Sequence, residues 1–310
     1  MFSTSDSAAG MIGLTRTDPA RLALQWALTD SQKGLAMPTA FITGATSGIG
    51  RVTALTLAQQ GWQIVAGGRP SAASEALLTE INSINGGAAW LDLDLSDLRS
   101  VEAAAAAYRA QGWSLDALIL NAGVGGYRGV TAQGFEWAFG VNHLAHFWLT
   151  MELMSVIKAQ PAARVVTVAS RAHRMAPFGM DYTRVLGPTR SRTGAYEYAM
   201  SKLANILFNQ ALARRLAGSP AVCFALHPGV IASGFWRHAP DWFQGMLGWL
   251  PLKTSEEGAR TTLHCVLQAK PAESGYYFSD CRVTQPLPVA RSVEAAETLW
   301  AKSLEFCKGE

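Results

Sequence analysis

The segment GAYEYAMSKLANILF, residues 194–208, carries two tyrosines, Tyr196 and Tyr198, and a lysine, Lys202. On a helix, side chains four positions apart share a face. Tyr198 therefore meets Lys202, whereas Tyr196 meets Met200. A phenol that serves as acid and base near neutrality must release its proton well below its ordinary pKa of about 10. A drop of about three units needs roughly 4 kcal/mol of preferential phenolate stabilisation. A neighbouring ammonium favours the phenolate. Tyr198 and Lys202 are thus the proton-transfer pair, and Tyr196 reads as a wall or surface residue.

A second cluster, FITGATSGIGR (41–51), holds Gly44, Gly48 and Gly50 between an apolar strand and an amphipathic helix. Glycines let the turn be tight and let a pyrophosphate approach the backbone. The helix N-terminus adds N–H groups and partial positive charge. This strand–turn–helix context is what a dinucleotide site requires. A carboxylate at the end of the second strand would bind a ribose 2′-OH and repel a 2′-phosphate. The segment AGGRP (66–70) has no acid there but has Arg69, and Arg51 follows the last glycine of the loop. Guanidiniums suit a phosphate dianion through charge-assisted, fork-like hydrogen bonds. The expected cofactor is NADP(H) rather than NAD, with Arg69 the stronger phosphate ligand of the two.

These residues need a frame. TAFIT (39–43), QIVAG (63–67), AAWLDL (88–93), LDALIL (115–120), ARVVTVAS (163–170) and VCFALH (222–227) are short apolar runs with turn residues beyond them, as fully buried parallel strands should be. Helical stretches are expected between them at 49–60, 71–83, 98–111, 141–159 and 197–216. Such alternation predicts an α/β fold, a doubly wound parallel sheet of Rossmann type in a single domain. YYFSD (276–280) is expected to add a last edge strand. Residues 1–36 read as an N-terminal extension, and residues 37–310 as the NADP(H)-binding domain.

The chain has 310 residues, a net charge of +3, 49% hydrophobic and 16% charged residues. That supplies a large core, and the scattered weak basic charge excludes a nucleic-acid partner. The four cysteines, Cys223, Cys265, Cys281 and Cys307, form no CxxC pair and have no histidine at zinc spacing, so no metal is expected. The first residues lack a basic region followed by an apolar run, and no uncharged apolar stretch reaches spanning length. A cytoplasmic location is expected.

TGATSGIG, NAG (121–123), VNHLAHF (141–147), a serine ending a strand (Ser170), YAMSK (198–202) and HPG (227–229) occur in this order. Together they resemble the short-chain dehydrogenase/reductase family, from about residue 38 to the C-terminus. VNHLAHFWLT, YAMSKLANILF, HPGV and YYFSDC resemble its retinol-dehydrogenase-like branch. The resemblance implies hydride transfer between nicotinamide C4 and a carbonyl carbon, with the oxidised nicotinamide ring helping Lys202 to stabilise the Tyr198 phenolate. It implies that Ser170 positions the substrate oxygen and that Asn142 holds a water linking to Lys202. It also implies cofactor contacts from Gly44, Thr46, Ser47, Gly48, Ile49, Gly50, Asp94, Leu95, Asn121, Ala122, Gly123, Tyr198, Lys202, Pro228, Gly229, Val230 and Ser233. Asp94 takes the position whose carboxylate meets the adenine. His143 and His146 read as packing or hydrogen-bonding residues. Ser170 and Tyr198 lie 28 residues apart. This exceeds the family's commonest spacing, so the intervening stretch reads as an insertion that shapes the pocket.

After HPG comes SGFWRHAPDWFQGMLGWLPLK (233–253), with Phe235, Trp236, Trp242, Phe243, Met246 and Trp249 among few charges. The family places a mobile substrate lid here, and apolar lining suits a bulky apolar substrate such as a retinal-like, terpenoid, steroid or long-chain carbonyl compound. Packing on another subunit, as in a homodimer, or peripheral contact with a membrane surface would also use such residues. The alternatives to carbonyl chemistry are reduction of a C=C bond in a pigment-like ring and NADP(H) binding without turnover.

Overall fold

The computed structural model describes residues 37–230 and 253–309. Among these described residues eight strands form one sheet in the order β3-β2-β1-β4-β5-β6-β7-β8. They are β1 Thr39–Thr43, β2 Gln63–Gly68, β3 Ala88–Asp92, β4 Ala117–Leu120, β5 Arg164–Val168, β6 Val222–His227, β7 Tyr277–Ser279 and β8 Arg282–Val283. The first seven run parallel, as buried runs of Val, Ile, Ala and Phe with covered faces should. Register aligns Thr43 with Gly67 and Val168 with Leu226. The carboxyl ends of β1, β2, β4, β5 and β6 consequently open onto one edge. The strand order reverses between β1 and β4, the switch point where open α/β sheets bind ligands.

Helices cover both faces. α1 (Gly48–Gln59), α2 (Ala72–Asn85) and α8 (Ser255–Leu267) lie on one side. There Leu57, Leu77, Ile81 and Val266 pack against Ile42, Ile64, Ile119 and Phe224. On the other side are α3 (Leu98–Ala110), α4 (Trp137–Phe139), α5 (Ala145–Glu152), α6 (Met154–Ala159), α7 (Ala195–Leu216) and α9 (Val293–Lys308). Tyr108, Phe147, Phe208 and Trp300 fill that layer. Trp300 stacks on Phe208 at 6.0 Å between ring centroids and meets Phe147 edge-on at 5.0 Å, so the last helix closes over the helix that carries Tyr198.

Two expectations change. The 276–280 strand is not the edge: Asp280 and Cys281, both with positive φ, turn the chain back into the antiparallel β8. A two-residue loop with φ near +55° at both positions matches the right-handed strand twist, which is why so short a strand can pair there. The helix expected over 141–159 is also interrupted. Residues Gly140–Leu144 form a π-helical turn between α4 and α5, and Leu153 breaks the chain again before α6. One extra residue per turn leaves carbonyls without their usual partners, a perturbation that periodicity cannot reveal.

Candidate active site

The glycine loop joins β1 to α1. Gly44 (φ 67°) and Gly48 (φ 54°) adopt left-handed conformations. A Cβ on Gly50 would lie 2.3 Å from the Gly44 carbonyl oxygen and 2.5 Å from Asn121 Nδ2, so no larger residue fits. A Cβ on Gly48 would meet no atom within 4 Å, so that backbone is open to a ligand. Ser47 stands at the α1 N-cap without a side-chain capping bond, whereas Ser71, Asp97, Thr254 and Ser292 cap α2, α3, α8 and α9. The first N–H groups of α1 thus keep their donor capacity beside an open glycine backbone, which fits the phosphates of a dinucleotide. Thr46 and Ile49 belong to this same turn and first helical residues.

At the adenosine end the two arginines differ. Arg51 is ion-paired with Glu80 of α2. Arg69 is exposed just beyond β2, with no ion pair among the described residues. Asp94 lies beyond β3, where its Oδ1 accepts from Ser96 N at 2.9 Å and Ser96 Oγ at 2.7 Å, with Leu95 half-buried between them.

Asn121 follows β4 and locks to the glycine loop through Nδ2, donating to the carbonyls of Thr43 at 2.9 Å and Gly44 at 3.2 Å. The Thr43 hydroxyl accepts from the backbone N–H of both Asn121 and Ala122 at 3.0 Å. It lies 2.9 Å from His146 Nε2, and His146 Nδ1 lies 3.1 Å from the Asn142 carbonyl. Because that carbonyl only accepts, His146 carries its proton on Nδ1 and accepts a hydrogen bond from the Thr43 hydroxyl on Nε2. Burial pushes the His146 pKa down to about 4, keeping this neutral form. Neither Thr43 nor His146 was singled out for this role by spacing, since only the fold brings positions 103 residues apart into contact.

Asn142 is fully buried in the π-helical turn. Its Oδ1 accepts from Val124 N at 2.7 Å, and its Nδ2 donates to Val124 O and Ser201 Oγ, each at 2.9 Å. Both amide protons are committed, so the side chain holds the NAG loop to the α7 helix rather than offering a donor to water. A Cβ on Gly123 would lie 3.3 Å from Asn142 Oδ1 and 3.4 Å from Lys202 Nζ, placing both groups against that glycine. His143 packs among Phe139, Phe147 and Phe208 and reaches Ser303 Oγ at 3.0 Å.

Ser170 follows β5 and caps the Arg171–Met175 turn, with its hydroxyl close enough to Tyr198 to favour the phenolate. Tyr198 and Lys202 lie on one face of α7, the lysine Nζ 5.7 Å from the centroid of the tyrosine ring. Lys202 donates to Val168 O at 2.9 Å, joined there by Asn205 Nδ2 at 3.2 Å. Burial pushes the Tyr198 phenol up to about 12, against the lowering effect of Ser170, and pushes the Lys202 ammonium down to about 7. Both shifts disfavour charge in an apolar setting. Tyr196, two residues earlier and on the other side of the helix, carries the Arg184 guanidinium 5.3 Å above its ring.

The insertion between Ser170 and Tyr198 is held by two buried carboxylates that sequence reading passed over. Glu197 accepts from Arg184 Nη1 at 3.1 Å, Ser191 N at 3.0 Å and Ser191 Oγ. Glu136 accepts from Thr189 Oγ1 at 2.5 Å and Phe139 N at 2.9 Å. Their neighbours in sequence give no sign of burial, and only the loop folded over them removes their water. Pro228 is buried after β6, with Gly229 (φ 102°) and Val230 half-buried beyond it. Ser233 and the lid residues Phe235, Trp236, Trp242, Phe243, Met246 and Trp249 lie outside the described residues, as does the extension 1–36. Among the described residues there is no cluster of metal-ligating side chains and no helix long and apolar enough to cross a membrane.

Comparisons with known proteins agree with this fold. The short chain dehydrogenase family model matches residues 38–183. Dehydrogenase/reductase SDR family member 13 of Bos taurus is 40% identical over 274 residues, covering 86% of this chain and 72% of that protein. Retinol dehydrogenase 12 of Homo sapiens is 40% identical over 270 residues, covering 86% and 84%. A crystal structure of an uncharacterized protein from Mycobacterium paratuberculosis superposes with a TM-score of 0.68 at 32% identity, over 88% of this chain and 94% of that one.

Proposed function

The chain belongs to the short-chain dehydrogenase/reductase family, whose oxidoreductases act on CH–OH and C=O groups, and we propose that it is an NADP(H)-dependent reductase of bulky apolar carbonyl compounds. The observation that carries this reading is the buried pair Tyr198 and Lys202 on one face of α7, with Ser170 at the end of β5, at the sheet edge that also bears the open glycine loop.

A bound nicotinamide cofactor supplies or accepts the hydride. Ser170 holds the substrate oxygen, and Tyr198 gives its proton to the alkoxide formed as the carbonyl carbon is reduced. A phenol kept protonated by burial is in the right state to start reduction. In the oxidative direction the phenolate must form, and the Lys202 ammonium, with the positive charge a bound oxidised nicotinamide would add, would offset the burial penalty. Lys202 would also hold the nicotinamide ribose. Gly44, Gly48, Gly50 and the α1 N-terminus would hold the pyrophosphate, and exposed Arg69 the 2′-phosphate, with Arg51 in support when it leaves Glu80.

The identity to retinol dehydrogenase 12 and the aromatic residues of 235–250 both support an apolar substrate. Covering apolar ligand surface returns roughly 25 cal/mol per Å². NADPH oxidation is to be followed with a homologous aldehyde series of increasing chain length and with retinal, and repeated in the Trp242→Ala and Trp249→Ala variants. Catalytic efficiency is expected to rise with chain length and to fall selectively for the bulky members in the variants. Efficiency that stays flat, or that favours the shortest aldehyde, refutes the substrate class while leaving the carbonyl chemistry standing.

A further inference from the structure

Ser170 sits in a turn that two histidines hold from opposite sides. His173, fully buried in the short helical turn Arg171–Met175, places Nδ1 2.7 Å from the Ser170 carbonyl oxygen. Its Nε2 accepts from the backbone N–H of Leu287 at 3.2 Å. A carbonyl accepts only and a backbone N–H donates only, so His173 must be neutral with its proton on Nδ1. His227, the last residue of β6 and 4% exposed, accepts on Nδ1 from the Arg171 N–H at 3.3 Å. It must therefore be neutral with its proton on Nε2. The Ser170 hydroxyl meanwhile accepts from Ala172 N at 3.2 Å within the same turn.

The peptide on the C-terminal side of Ser170 is thus gripped at both of its polar atoms: its carbonyl by His173 and its N–H by His227. A peptide plane held at both ends cannot rotate, and its orientation decides where the Ser170 side chain leaves the backbone. We propose that His173 and His227 are positioning residues for the reaction, two imidazoles of opposite tautomer that fix the Ser170 hydroxyl against Tyr198. The proposal rests on the reading of Ser170 as the group that holds the substrate oxygen. His173 also ties this turn to the segment leading into α9, and its ring meets Tyr277 edge-on at 5.4 Å, so it has no room to rotate away.

The nitrogen that faces the peptide is Nδ1 in both residues. The amide group of Asn reaches the position of Nδ1, and that of Gln the position of Nε2. The test compares His173→Asn with His173→Gln and His227→Asn with His227→Gln, reading kcat and KM for an aldehyde substrate, NADPH affinity by fluorescence, and melting temperature. A displacement of about 1 Å at a catalytic group costs up to about 100-fold in rate. Each Gln variant is expected to lose about 10- to 100-fold in kcat, with NADPH affinity held within about threefold, and each Asn variant to recover most of that loss. Equal kcat in the Asn and Gln variants, or NADPH affinity falling in step with kcat, overturns the proposal. Crystal structures of the two Gln variants supply a reading that does not need turnover. A Ser170 hydroxyl displaced from Tyr198 supports the proposal even if no carbonyl compound is reduced, and an unmoved hydroxyl overturns it even if the enzyme is an active reductase.

Discussion

Lys202 Nζ lies 5.7 Å from the centre of the Tyr198 ring and is anchored to the carbonyl of Val168, one turn of helix setting the lysine and one strand end setting its height. Tyr196 shares none of this: its face is turned to Arg184. Tyr198→Phe is therefore expected to lower turnover about 10²–10⁴-fold, the usual contribution of a positioned acid or base, with NADPH affinity nearly intact. Tyr196→Phe should stay within a few fold. Steady-state NADPH oxidation decides, and the reverse order of losses would move the proton-transfer role to Tyr196.

Arg69 is exposed and has no ion pair among the described residues, while Arg51 is held by Glu80. Losing a charged hydrogen bond to phosphate costs about 1.5–3 kcal/mol, or roughly 10- to 100-fold in affinity. Arg69→Ala should weaken NADPH binding by that factor and leave NADH unchanged, and added salt should shrink the gap between cofactors. Arg51→Ala should have the smaller effect. Equal weakening of both cofactors by Arg69→Ala in a titration would assign that arginine to the fold.

The pKa of Lys202 falls from its ordinary value to about 7 in the folded protein, because burial disfavours the ammonium. Between about pH 7 and the unfolded value near 10.4 the unfolded chain binds the extra proton, so this group makes the cofactor-free protein more stable as pH rises through that window. Below pH 7 both states are protonated and the burial penalty is complete. Lys202→Met should therefore stabilise the cofactor-free protein more at pH 6.5 than at pH 9.5. Urea unfolding at the two pH values measures the difference, and an equal effect at both would show that the ammonium is solvated.

His146 and His227 are both lowered to about 4, and His143 to about 3, in each case by burial first. Below pH 6.5 the unfolded chain takes up protons that the folded chain refuses, so stability falls with acid until the folded values are reached. Melting temperature should decline between pH 6.5 and 4, and His146→Gln, which removes one titrating group, should flatten that decline. A variant whose profile parallels the parent's would place the titration elsewhere.

Glu197 is fully buried, with Arg184 and Ser191 as its partners, while the Arg184 side chain keeps 34% of its surface. Part of that ion pair is screened by water, which reduces its contribution. Glu197→Ala leaves the Ser191 amide without its acceptor and Arg184 with Asp181 alone, and is expected to cost about 1–3 kcal/mol in a urea titration. Arg184→Met, by leaving a buried carboxylate uncompensated, should cost at least as much. A negligible loss in both would show that the insertion is held by its backbone bonds alone, from Thr189 N to Gly129 O, Gly187 N to Gly134 O and Glu136 N to Val185 O.

The strands, the glycine loop, the Tyr198–Lys202 spacing and the missing acid after β2 were legible in the chain, because each is a local pattern. A strand's apolar run, a helix's four-residue repeat and a glycine's missing Cβ act over a few residues and leave their mark there. The edge strand β8 and the π-helical turn at Gly140–Leu144 were not legible, since two residues carry no periodicity and one extra residue in a turn leaves the apolar pattern intact. What only the tertiary structure decided is which polar groups lose their water. It buried Glu136 and Glu197, set His146 on Thr43, closed His173 and His227 on the Ser170 peptide, and gave Arg51 to Glu80 while leaving Arg69 exposed. Partners separated by tens of residues meet only when the sheet brings its strand ends to one edge. The pKa of a buried group, and hence its chemistry, follows from that meeting.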